Sequence, residues 1–169
     1  MKSKQIVICA ILIAVLGAGI ATAQTQASIT LQGTVPAILE ISVNAEAGIN
    51  NLDLLQNLNM KIATAVERSN KRAGYTVTVS SANAQTAGAA APFFKDSVDA
   101  SNTEQLPYSI SYDGTTASFS GGSAVVSNQT TKTTGTGAAK EVRLIYNGAD
   151  IFPSEGSYAD TLTFTITAN

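Results

Sequence analysis

The chain has 169 residues, 44% of them hydrophobic, with ten basic and twelve acidic residues, no histidine and one cysteine. A mildly acidic balance without a basic stripe gives a nucleic-acid partner no electrostatic support. Lack of histidine, and of any cysteine beyond residue 9, removes the commonest general base, the commonest metal ligands and the Ser-His and Cys-His nucleophile pairs, so the reading is non-enzymatic, with no cofactor and no metal site.

Residues 1–23 read as a signal peptide. Lys2 and Lys4 form the positive region, residues 6–20 the apolar core, and Ala21-Thr22-Ala23 the small-x-small cleavage pattern, so the exported chain is expected to begin at Gln24. Removing 23 residues leaves 146, enough for one domain with a real core, carrying eight basic against twelve acidic residues. Cys9 leaves with the signal peptide, so the exported domain has no disulfide.

Residues 27–35, ASITLQGTV, alternate as a half-buried strand does: Ala27, Ile29, Leu31, Gly33 and Val35 on one face, Ser28, Thr30, Gln32 and Thr34 on the other. Lying just inside the expected N-terminus, this stretch is placed to pair with another molecule as readily as with its own. Pro36 follows, and the alternation restarts at Leu39, Ile41 and Val43. The two runs are equally one long bent strand or an extension joined to a fixed strand.

Further along, residues 60–66 are expected to form a strand with Met60, Ile62, Thr64 and Val66 on one face and Lys61, Ala63 and Ala65 on the other. Residues 67–74, ERSNKRAG, read as a charged, solvated connector. Residues 75–81, YTVTVSS, are the cleanest strand, dense in β-branched side chains. The long stretch 83–104 departs from the pattern, and its Phe93-Phe94 is read as a plug closing one end of the core. Residues 105–112 alternate and meet Asp113-Gly114, a tight-hairpin dipeptide, with 115–120 returning. Residues 123–127 suggest a short strand around Val125 and Val126. After a threonine- and glycine-rich loop, residues 140–146 alternate and reach Asn147-Gly148, read as a second hairpin dipeptide. Residues 157–167 form the last strand, with Leu162, Phe164 and Ile166 in strict order. The carboxylates are scattered, with no calcium-loop spacing and no acid–base pair. Eight or nine short strands, and no convincing helix beyond the signal peptide, predict an all-β sandwich.

Four features, taken in order, resemble the chaperone–usher pilins, most closely the alpha-type, class 5, colonization-factor-like major subunits, with archaic spore-coat-U-like pilins as cousins. These are the N-terminal alternating strand with proline next; KIATAV, a charged turn and GYTVTVSSAN; the threonine/glycine-rich middle; and Gly156-x-Tyr158-x-Asp160 running into a terminal strand. The resemblance implies an immunoglobulin-like β-sandwich lacking its final strand over residues 37–169, with a donor-strand extension over residues 24–36. It implies that Ile29, Leu31, Gly33 and Val35 are donor side chains. Leu162, Phe164 and Ile166 would form one wall of the acceptor groove and the chaperone contact. The implied function is a fimbrial subunit polymerising head to tail by donor-strand complementation. Its partners would be further pilin subunits, a periplasmic chaperone and an outer-membrane usher. Its route would be export through the inner membrane and periplasm to a cell-surface fimbria. The other reading of the residues is a self-sufficient secreted β-sandwich binding module, adhesin- or lectin-like.

Overall fold

The computed structural model describes residues 25–169; the signal peptide read in residues 1–23, its cleavage site and Cys9 lie outside them. The chain divides into two units, Met1–Thr34 and Val35–Asn169. In the first, residues 25–34 carry no regular secondary structure. The second is all-β, with strands β1 (Leu39–Ala45), β2 (Asn57–Ser69), β3 (Tyr75–Ser81), β4 (Phe93–Asp96), β5 (Gln105–Pro107) and β6 (Ser109–Tyr112). It continues with β7 (Thr115–Thr116), β8 (Ser123–Gln129), β9 (Ala138–Asn147), β10 (Tyr158–Ala159) and β11 (Leu162–Ala168). Two short helices, α1 (Ala82–Ala87) and α2 (Gly148–Ile151), were not expected.

Every pairing is antiparallel. One sheet runs β1-β2-β9-β6-β7, a second β11-β3-β8 and a third β10-β4-β5. The first two meet across a shared core. Ala63, Ala65, Ile110, Tyr112, Val142 and Leu144 come from the five-stranded sheet, with Val126, Leu162 and Phe164 packed against them from the other. The Asp113-Gly114 turn between β6 and β7 is as the dipeptide predicts: both residues have positive φ, 50° and 82°, the combination a tight two-residue hairpin requires. Phe93 is buried and Phe94 packs its ring 4.5 Å from Tyr108, so the pair does close one end of the core.

Three local expectations give way. A bulge in β2 between Lys61 and Ala63 inserts one residue against β9 and inverts the alternation downstream. Ala63, Ala65 and Glu67 therefore face the core, not Thr64 and Val66. The connector expected at residues 67–74 begins only after Ser69, and Glu67 is fully buried. Asn147-Gly148 makes no hairpin: it opens α2, with Gly148 packed against the carbonyls of Leu54 and Gln56 where a Cβ has no room.

Two carboxylates tie the layers together. Glu67 accepts hydrogen bonds from Tyr112 at 2.7 Å, Tyr75 at 2.8 Å and Ser127 at 3.3 Å, joining residues of β2, β6, β3 and β8. Asp160 accepts from Ser81 at 2.5 Å, Tyr108 at 2.6 Å and the Asn83 N–H at 3.1 Å. It stands where the last strand, read as continuous, breaks in two: β10 pairs with β4, and β11 crosses to pair with β3.

Burial, then hydrogen bonding to Glu67, pushes the phenols of Tyr75 and Tyr112 above their ordinary 10.0. Burial and Asp160 do the same to Tyr108. Above pH 10 an unfolded chain has lost these protons and the folded chain keeps them, so the unfolded state binds fewer and stability must fall as pH rises. Unfolding curves collected upward from pH 10, with tyrosinate absorbance as the readout, should show these phenols ionising only as the chain unfolds. Glu67→Ala leaves two buried phenols without their acceptor and opens a cavity, and should cost about 3 kcal/mol or more in urea unfolding. Glu67→Gln, which keeps one acceptor oxygen and the volume, should cost less.

Candidate functional site

β1 and β11 each lie at the end of a sheet, run close to one another, and do not pair. β1 pairs only with β2, setting Leu39, Ile41 and Val43 opposite Ser69, Glu67 and Ala65 on the core face. β11 pairs only with β3, setting Leu162, Phe164 and Ile166 opposite Ser81, Val79 and Val77. One strand inward, burial is complete: Ala65, Glu67, Val77, Val79 and Ser81 are all 0% exposed. At the edge it is not. Leu39, Ile41, Leu162, Phe164 and Ile166 are half-buried, and Val43 is 42% exposed. These six side chains point inward and still meet solvent, because no strand flanks them on the outer side.

The opposite edge of the smaller sheet behaves differently. On β8 the core-facing Ala124 and Ser127 are buried, and the exposed Val125 points outward. Val126 of the same strand packs half-buried against the core, the one large inward residue there. The gap belongs to the β1–β11 side, where each strand also presents unpaired N–H and C=O groups.

The segment expected to donate a strand has the complementary property. Ile29, Leu31 and Val35 are 84%, 86% and 85% exposed. Nothing lies within 4 Å of where a Cβ would sit on Gly33. Apolar side chains alternating over residues 29–35 are a seven-residue ladder, the same length as β1 and as β11. Beyond Val35 the chain is pinned. Asn70 Nδ2 donates to the Pro36 carbonyl at 2.7 Å, and the Ile38 N–H donates to Asn70 Oδ1 at 2.7 Å. Of the two readings open at Pro36, the structure has the second: β1 is fixed, and residues 25–34 are not continuous with it as a strand.

Leu162, Phe164 and Ile166 thus share one face of one edge strand, as expected from their alternation. The facing wall, Leu39, Ile41 and Val43, was legible as a strand but not as a wall, since nothing in its own residues says that its outer edge stays free. The buried Glu67 and the half-buried Asp160 are occupied by hydroxyl and amide donors. Compared with protein-family models and with curated proteins, the chain matches none of either.

Hydrogen exchange tests the free edges directly. Along β1 and β11, amides pointing at β2 and β3 should be protected and their alternate neighbours should exchange quickly. Uniform protection along either strand would mean that its outer side is covered.

Proposed function

We propose that the protein is a structural subunit of a surface fibre that polymerises head to tail by donor-strand complementation. In this reading its domain is an immunoglobulin-like sandwich one strand short. The observation that carries the proposal is a match within one chain. A seven-residue apolar ladder lies in solvent, and two neighbouring seven-residue edge strands that do not pair with each other carry six core-facing side chains left partly in solvent.

A strand entering between β1 and β11 spreads these neighbouring edges to roughly 9–10 Å, twice the spacing of paired strands, supplies main-chain partners to both and sets its alternate side chains into the core, giving affinity and register together. Burial of Ile29, Leu31 and Val35 contributes roughly 1.5–3 kcal/mol each. Gly33 suits a place where two backbones come close. Because the strand belongs to a different copy from the gap it fills, the contact is heterologous and propagates as a filament. Until a copy arrives the open edge is an aggregation hazard, which fits a periplasmic chaperone that covers the groove and an outer-membrane usher that exchanges it for the next subunit. A signal peptide over residues 1–23 fits the same route.

Two constructions test this. Ile29→Asp with Leu31→Asp should leave the domain able to accept a strand but abolish detergent-resistant multimers. A chain carrying a second copy of residues 25–36 after Asn169 should be a monomer, melt cooperatively, and lose the fast-exchanging amides of β1 and β11. Normal multimers from the double variant overturn the proposal.

A further inference from the structure

The strand ends define two poles of the domain. At the first, residues 70–74 join β2 to β3, residues 130–137 join β8 to β9, and the Asn70 clamp holds Pro36. The N-terminal segment leaves from here. At the second, β1 ends and β11 begins, among residues 46–56, α2 and residues 152–157.

Charge is segregated between these poles. Ion pairs occupy Lys61, Arg68, Lys140 and Arg143. Among the described residues, Lys71, Arg72, Lys95 and Lys132 make no ion pair, and three of these, all but Lys95, stand at the first pole. Exposed carboxylates without a cation, Asp53, Asp99, Asp150 and Glu155, gather at the second. The N–H groups of Asp99 and Val98 hold the Asp96 carboxyl below its ordinary range, and the N–H of Ser154 does so for Glu104.

An open cleft of about 970 Å³ occupies the second pole. Its apolar lining includes Leu52, Leu54, Leu55, Phe94 and Phe152; Asp53, Glu155 and Asp160 add carboxylates, and no lysine or arginine lines it. Lys95, the remaining unpaired cation, lies beside a separate hollow with Phe93. Phe152 is the unusual member. It is 80% exposed at a φ of 49°, in the left-handed position that ends α2, where its N–H donates to the Gly148 carbonyl.

We propose that this cleft seats the 70–74 turn of the next copy in the fibre, with Lys71 and Arg72 against Asp53 and Glu155 and with Phe152 closing over the joint. The occupant is a second copy because the complementary charge is carried by this same chain, on the turn that its own N-terminal segment leaves beside. The contact rests on the strand-donation reading and gives it a direction. A segment running antiparallel to β11 brings its Val35 end, and with it the 70–74 turn of its own domain, to the second pole of the acceptor. A segment running the other way would set that turn against the acceptor's own Lys71 and Arg72, like charge against like.

The test is the rate at which the purified chain beginning at Gln24 forms detergent-resistant multimers, at low and at high salt. Lys71→Glu with Arg72→Glu should slow multimer formation by about tenfold or more at low salt and reverse its salt dependence, added salt now speeding growth, since exposed charges act chiefly on association rate and salt screens repulsion as it does attraction. Asp53→Lys with Glu155→Lys should do the same, and mixing the two variants should restore growth of a fibre in which they alternate, because every joint between unlike copies again sets opposite charges together. Phe152→Ser should speed dissociation of the multimers without changing salt dependence. Each variant carrying the appended 25–36 strand should melt as the parent does, which separates a lost contact from a lost fold. Unchanged rate and salt dependence in both charge variants, with normal multimers, overturns this contact and leaves strand donation standing. Absence of multimers from the unaltered chain, with no folding gain from the appended strand, overturns both.

Discussion

A core residue stays dry only if something covers it from every side, and in a two-sheet protein the last cover is a neighbouring strand. Along β1 and β11 that cover is missing. The consequences run outward from there: half-wet Phe164 and Ile166 on one wall, Leu39 and Ile41 on the other, and two backbones with free hydrogen-bonding groups. At the other edge of the smaller sheet, β8 turns Ala124, Val126 and Ser127 inward, only one of them large. On β1 and β11 every inward residue from Leu39 to Val43 and from Leu162 to Ile166 is large and aliphatic or aromatic.

The remainder of the domain is built to hold its shape while that side is open. Glu67 collects hydroxyls from β3, β6 and β8 within the core, and Asp160 locks the crossing from β10 to β11 against α1 and Tyr108. Hydrogen bonds to a buried carboxylate are stronger than neutral ones, and leaving their partners unsatisfied is expensive. Both clusters therefore resist sliding of one sheet over the other in a way that aliphatic packing alone does not.

Much of this was legible in the residues. Period-two alternation identified β1, β3 and β11, and Asp113-Gly114 identified its hairpin. The failures share a cause, which is information that is not local. One inserted residue in β2 exchanges the faces of everything after it, so Ala63 and Ala65, grouped by alternation with Lys61, are core. Glu67 sits in a run of charged and polar residues and looks solvated; two of its partners lie 45 and 60 residues away, at Tyr112 and Ser127. The residues at 157–167 keep a steady alternation through a change of sheet, because alternation records which face a side chain takes and not which strand it lies beside. The open edge is of this kind too: a wall can be read from one strand, and a gap only from two.

The clamp between Asn70 and Pro36 also has a mechanical meaning. In a fibre joined through N-terminal segments, tension on any subunit enters at Pro36 and passes into β1. β1 lies lengthwise against the far longer β2, with seven residue pairs in register, so the load is shared among rungs in shear instead of peeling them singly. The short side-chain bridge at Asn70 takes up the pull first, sparing the ladder behind it. Strength under load would then reside in β1 and β2, and the joint between subunits need only match it.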